Sequence, residues 1–279
     1  MQQQLLNIKK IKVKSALNIC FFTMLLFIIQ GCEDFFEYSP YAANVKSEFK
    51  NSFDTNLNKI LSTDTIPKSE FKFAVIADSH YNYHELNEAV INLNSRNDID
   101  FVIVNGDIAD HGYNKEYELF LKNIKKLRVP FLTVIGNHDY RSNGDKIYQE
   151  MFGEPNRTFI YNNQKFILFD DIFWESNKTP DFNWLENELY TASKYERVYV
   201  FCHIPPYGDE FTDEYENLYK QLMINYNVDM SIHGHIHRFE YGDYYHDGMI
   251  YLAVESIMDK EYALVTVLNS GITVEPIKY

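Results

Sequence analysis

His233, His235 and His237 stand at alternate positions in SIHGHIHRFE (residues 231–240), straight after the apolar run YNVDM. A strand has a side-chain period of two, so three imidazoles spaced this way can share one face. Gly234 would let a ligand or another backbone come close. Neutral imidazole is the commonest metal ligand, although the same residues also suit a polar surface loop. Four more polar clusters bear on the choice. Asp78-Ser79-His80 follows FKFAVIA, and Asn105-Gly106-Asp107-Ile108-Ala109-Asp110 follows DFVIV. Gly136-Asn137-His138-Asp139 follows VPFLTVI, and His203 follows RVYVFC. Each apolar run reads as a buried strand.

The elements that must position these clusters alternate. YHELNEAVINLN, NKEYELFLKNIKKL, FNWLENELYTA and EYENLYKQLMINY are helix-like and lie between the strands. Strands alternating with helices imply parallel or mixed sheets, whose ligands bind beyond the carboxyl ends of the strands. All five clusters fall there, so they can meet in one site. Two Asp (78, 107), four His (80, 203, 235, 237) and Asn137 make a set of N and O donors. If one carboxylate bridges two ions, each ion has four protein contacts and keeps positions for hydroxide and substrate. The set holds no thiolate, which disfavours copper(I) and iron–sulfur chemistry and suits zinc, manganese, iron or cobalt. Two divalent ions against two carboxylates leave the site locally positive, as a small anionic substrate requires.

The amino end reads differently. MQQQLLNIKKIKVK carries Lys9, Lys10, Lys12 and Lys14 and no acid, and the apolar ICFFTMLLFII follows. That run is short for a bilayer span and fits a secretory signal peptide over residues 1–31. Ile29-Gln30-Gly31-Cys32 resembles a bacterial lipobox, which implies a lipid anchor on Cys32 and an exported lipoprotein of the cell envelope, periplasmic or on the outer surface. Loss of residues 1–31 would move the net charge from −14 to −18. So acidic a surface repels nucleic-acid phosphates and anionic headgroups and argues against a general nuclease. Of the three cysteines only Cys202 would then remain inside the fold, so no internal disulfide is expected. Residues 32–70 are polar and turn-rich and are expected to form a tether or amino-terminal extension whose aromatic part can pack on the domain, with the catalytic domain over 71–279.

Asp-x-His, Gly-Asp-x-x-Asp, Gly-Asn-His-Asp, a lone strand-end His and Gly-His-x-His, in this order, closely resemble the calcineurin-like metallophosphoesterase family over about residues 71–260. The resemblance implies an α/β fold, a four-layer α/β/β/α sandwich of two mixed sheets around a dinuclear centre. It implies that Asp78, His80 and His237 hold one ion, that Asn137, His203 and His235 hold the other, and that Asp107 bridges. The two divalent ions (Mn, Zn, Fe or Co) would acidify a bridging water that attacks phosphorus. His138 would protonate the leaving oxygen as general acid, with Asp139 orienting and charging it. His233 takes a place that is small or apolar in relatives, and it is expected either to pack or to support a ligand from behind. The opening motif is Asp-x-His rather than Asp-x-Gly, and no Tyr follows Asp107 in the ligand position, which sets the chain apart from purple acid phosphatases. Relatives retained only as binding modules lose ligands or the His of Gly-Asn-His, whereas every one is present here.

Lesser positions carry plainer expectations. Asp110 should fix the loop after Asp107, and His111, His84, Tyr81 and Tyr83 should lie at the surface or mouth. Asp170 and Asp171 should end a strand, Trp174 and Trp184 should pack, and His246 should be exposed in a turn. Pro205 and Pro206 should stop the strand after His203.

Overall fold

Phe71, Phe73, Val75 and Ala77 share one burial environment, while Ala74 and Ile76 between them share another. That period of two along a strand buried on both faces organises the molecule. The computed structural model describes residues 42–279, of which 43–279 form one compact unit. The expected signal peptide, lipobox and Cys32 anchor lie outside the described residues.

The first sheet contains β1 (Glu70–Ile76), β2 (Phe101–Asn105), β3 (Phe131–Val134), β10 (Glu261–Leu268) and β11 (Gly271–Lys278), in the order β11-β10-β1-β2-β3. β1, β2 and β3 run parallel, and β10 lies antiparallel to β1. The second sheet contains β4 (Arg157–Tyr161), β5 (Gln164–Leu168), β6 (Val198–Phe201), β7 (Met230–His233), β8 (Glu240–Gly242) and β9 (Tyr251–Ala253), in the order β4-β5-β6-β7-β9-β8. β5, β6, β7 and β9 are parallel, with antiparallel β4 and β8 at the edges.

The sheets pack face to face over an aromatic core. Phe73 stacks on Phe101 at 5.4 Å and meets Phe166, Tyr199 and Phe201 of the other sheet edge-on at 5.7–6.0 Å. Such pairs prefer offset or edge-to-face geometry, each adding to what area burial supplies. The outer face of the first sheet buries Val102 and Val104 under α2 (Tyr83–Ser95), α3 (Asn114–Ile124) and α4 (Gly144–Phe152). The outer face of the second buries Val200 and Cys202 under α5 (Phe182–Tyr190) and α6 (Asp213–Asn225). Helices, sheet, sheet, helices: the four layers are those expected.

Part of the expected tether is folded, and its Phe49 and Phe53 pack on the domain. Ser52–Thr63 form a helix, α1, whose Phe53, Leu57 and Ile60 recur at helical spacing and join the core between the sheets. Val45 and Phe49 pack with the helices outside the first sheet. The three apolar positions are set among polar residues, so the stretch reads as coil although its period is helical. α1 packs against β3, β4 and α4 and so belongs to the domain.

Candidate metal centre

Five strands deliver the site: β1, β2 and β3 from one sheet, β6 and β7 from the other. Immediately past their carboxyl ends the backbone turns sharply. Asp78 (φ 54°), His80 (44°), Asp107 (53°), His235 (68°) and His237 (46°) all adopt left-handed φ. Each costs a residue with a Cβ of order 1–3 kcal/mol and persists only where the surroundings enforce it, a habit of functional sites. Here backbone bonds enforce it, from Asp78 N to Gly106 O (3.2 Å) and from His80 N to Asp107 O (2.9 Å). The Asp78 carboxylate itself accepts from the backbone N–H of His235, at 3.1 and 3.2 Å. Close approach also requires glycines. A Cβ on Gly106 would lie 2.2 Å from His203 Nδ1, and one on Gly136 would lie 2.2 Å from Asp107 Oδ1.

The side chains converge. Asp78, His80 and His237 bring donor atoms within 4.8 Å of one another, as do Asp107, His203 and His235. His237 Nε2 is 3.2 Å from Asp78 Oδ1, and His203 Nε2 is 3.3 Å from Asp107 Oδ2. Asp107 Oδ2 is also 3.6 Å from His80 Nε2, so this carboxylate faces both groups. Asn137 joins them from β3: the next residue's N–H donates to Asp107 Oδ1 at 2.9 Å.

Lone pairs are left over where a cation would sit. His203 Nδ1–H donates to the Asn105 carbonyl at 2.8 Å, which turns the buried Nε2 to the site, where no hydrogen bond from the described residues reaches it. Asn137 Oδ1 and His80 Nδ1 are likewise buried without hydrogen bonds. Burial holds His235 down to about 4 and His80 below its ordinary value, so both rings are neutral near pH 7, as ligands must be. Burial would lower His203 too, but the carboxylates of Asp107 and Asp78 carry it well above its ordinary value. Two donors about 2.1 Å from one tetrahedral ion lie about 3.4 Å apart, close to the spacings just given. The seven residues therefore fit divalent ions.

His138 lies at the rim, its ring 4.5 Å from that of His80. Its Nδ1 is 3.0 Å from the Asp110 carbonyl and 3.1 Å from Asp110 Oδ1, so Nδ1 carries the hydrogen and Nε2 is the free nitrogen. The expected partner, Asp139, does not touch it. On the 3₁₀ turn His138–Tyr140 successive side chains diverge by about a third of a turn. Asp139 is thereby turned inward, where its carboxylate accepts from the N–H groups of Ala109 (2.9 Å), Gly136 (3.0 Å) and Ile108 (3.2 Å) and from Tyr117 Oη (3.0 Å). Asp139 organises two loops, and Asp110 holds His138. Asp110 was expected only to fix its own loop.

A model of the calcineurin-like phosphoesterase family matches residues 71–239. The chain belongs to that family. Over 163 residues it is 31% identical to a probable glycerophosphodiester phosphodiesterase of Arcobacter nitrofigilis, covering 52% of this chain and 55% of that protein. It is 22% identical over 179 residues to the 3',5'-cyclic adenosine monophosphate phosphodiesterase of Escherichia coli K12, covering 57% and 65%. The chain thus spans little more than half the length of these curated relatives. Among solved structures, a dimetal phosphatase from Danio rerio superposes with TM-score 0.58 at 15% identity, covering 75% of this chain and 99% of that one. A purple acid phosphatase from yellow lupin gives TM-score 0.64 at 15% identity, covering 76% and 52%. At such identity these likenesses concern the fold alone.

In this member of the family several supporting residues carried no sequence signal. Asp171, expected only to end β5, is buried and accepts from the N–H groups of His203 (3.1 Å) and Ile204 (2.9 Å). Asn105 donates to the carbonyls of Cys202 and Ile232, joining the two sheets behind the site. His233 points away from the site, as packing requires: it is buried against Ser231 Oγ (2.8 Å) and the Ile204 carbonyl (3.1 Å). His111, His84, Tyr81 and His246 are exposed, and Trp184 stacks on Phe169. Trp174 departs from expectation: it is exposed and donates to the Glu210 carbonyl.

Proposed function

We propose that this protein is a metal-dependent hydrolase of small phosphoric esters, with diesters its first substrates. It would use two divalent ions held by Asp78, His80, Asp107, Asn137, His203, His235 and His237. The observation that carries the reading is the convergence of six Asp and His donors from two sheets, five of them on left-handed backbone, with Asn137 beside them and with buried polar atoms that no described residue satisfies. The names of the curated relatives favour diesters over monoesters.

When bound, the ions would supply positive charge for the phosphoryl oxygens and acidify the attacking water. The chain's own residues do the rest. His138 would hold the transferable proton on Nε2 while Asp110 fixes the ring through Nδ1. As water adds to phosphorus and the bond to the leaving oxygen breaks, that proton passes to the leaving oxygen. The attacking water's proton restores the imidazolium. Asp139, Asp171 and Asn105 keep the loops in place. Export and a lipid anchor on Cys32 complete the proposal, placing the reaction in the cell envelope.

The test is hydrolysis of bis-p-nitrophenyl phosphate and p-nitrophenyl phosphate by chelator-stripped protein, before and after addition of Mn²⁺, Zn²⁺, Co²⁺ or Mg²⁺. Metal-restored diester cleavage that disappears in Asp107→Asn is expected. A stripped protein that rebinds no metal and cleaves neither ester would instead be a binding module on this fold.

A further inference from the structure

Glu175 and Glu210 lie beside the Asn137–His203–His235 end of the site, and no motif includes them. Glu175 stands in the loop after β5 and Glu210 in the loop after β6. Beside the bonds from Asp171, a side-chain bond ties the loops here: Trp174 Nε1–H donates to the Glu210 carbonyl at 2.8 Å. Glu175 Oε1 accepts from Asn137 Nδ2 at 2.8 Å. A carboxylate can only accept, so this bond decides which way the amide faces. The nitrogen goes to Glu175, and Oδ1 is turned away, buried and unpartnered. Glu210 Oε1 is 3.5 Å from His235 Nε2, longer than a hydrogen bond. The Oε2 atoms of both glutamates are buried and have no hydrogen-bond partner either.

A buried carboxylate oxygen without a donor is costly, and the cost rises in a site that already holds Asp78 and Asp107. A cation removes it. The 3.5 Å between Glu210 and His235 is close to the ~3.4 Å between two donors on one tetrahedral ion. We propose that Glu210 supplies a further carboxylate oxygen to the ion held by Asn137, His203 and His235. Glu175 is a positioning residue that turns the Asn137 oxygen toward the same ion. This inference rests on the metal-centre reading above. It gives that position an extra oxygen donor and an extra negative charge, and oxygen donors favour manganese and magnesium over softer ions.

Calorimetric titration of the metal-free protein with Mn²⁺ and with Zn²⁺, without substrate, tests it. The parent should show two binding steps, and Asn137→Ala marks the one concerned. Glu210→Ala should weaken that step about ten- to a hundredfold, more for Mn²⁺ than for Zn²⁺. Glu210→Gln, which preserves the side-chain volume, should show the same order of preference. Glu175→Ala should weaken the same step. Glu175→Gln should restore most of the loss, because an amide oxygen still accepts from Asn137. Two parent steps left unchanged by Glu210→Ala and Glu175→Ala would overturn this inference and leave the dinuclear reading intact. Fewer than two steps in the parent would overturn the reading beneath it.

Discussion

His138 and Asp139 are adjacent in sequence and opposite in role. His138 faces the rim with its Nδ1 on Asp110, so His138→Gln should bind both metals and lose about 10²- to 10⁴-fold in turnover on esters with poor leaving groups. Losses on p-nitrophenyl esters should be far smaller, and equal losses on both kinds would remove the general-acid role. Asp110→Asn should show the same leaving-group pattern more weakly. Asp139→Ala should act on stability instead. It strands three buried N–H groups, each worth roughly 1–3 kcal/mol when left unpaired and not simply additive, while the Tyr117 hydroxyl keeps the Asp139 backbone carbonyl. A loss of about 3 kcal/mol or more in urea unfolding is expected. Burial raises the Asp170 carboxyl from 3.8 to about 6, although it accepts from Tyr140 Oη and from Ile172 N–H. Its proton is held more tightly folded than unfolded, so this contribution favours folding below about pH 4 and is lost as pH rises through 6. Asp170→Asn should therefore gain on the parent between pH 4 and 7.5 in urea midpoints, and a constant difference would disprove the assignment.

Strands that end in tight turns are the elements that make the site. At Gly106 (φ +93°) an added Cβ would fall on the His203 ring, 2.2 Å from Nδ1. Gly106→Ala should displace His203 from the Asn105 carbonyl and cost one metal equivalent, read by metal analysis, while circular dichroism stays that of the parent. The main strands and four of the helices were legible because each carries several apolar residues at its own period. α1 and α4 were not. α1 presents only Phe53, Leu57 and Ile60 between polar residues, and α4 lies in GDKIYQEMF directly behind a metal motif that draws the reading toward a loop.

At the scale of the whole molecule, stability and site share one cause, the packing of two sheets. Phe73 is fully buried and touches aromatic rings of both sheets. Phe73→Ala should cost about 3–5 kcal/mol, seen as a lower urea midpoint. The proposed ligands arrive from both sheets, so the variant should also bind divalent metal more weakly than its residual fold would suggest. Unchanged metal affinity would show that the motif loops hold themselves.

Order along the chain determined the donor set, the strand after which each donor falls and the layered α/β class. These are local properties, written as apolar periods of two or 3.6 and as polar residues at their ends. Tertiary structure decided which donors lie together, and it gave His138 to Asp110 rather than to its neighbour Asp139. It also brought Asp171, Glu175 and Glu210 to the site. Those three approach ligands roughly 25 to 40 residues away in the chain, and an acid in a loop carries no mark of the N–H or ring it will meet. A side chain's partner depends on the direction its turn gives it and on the loop that another strand places opposite. Both exist only once the two sheets have closed on each other.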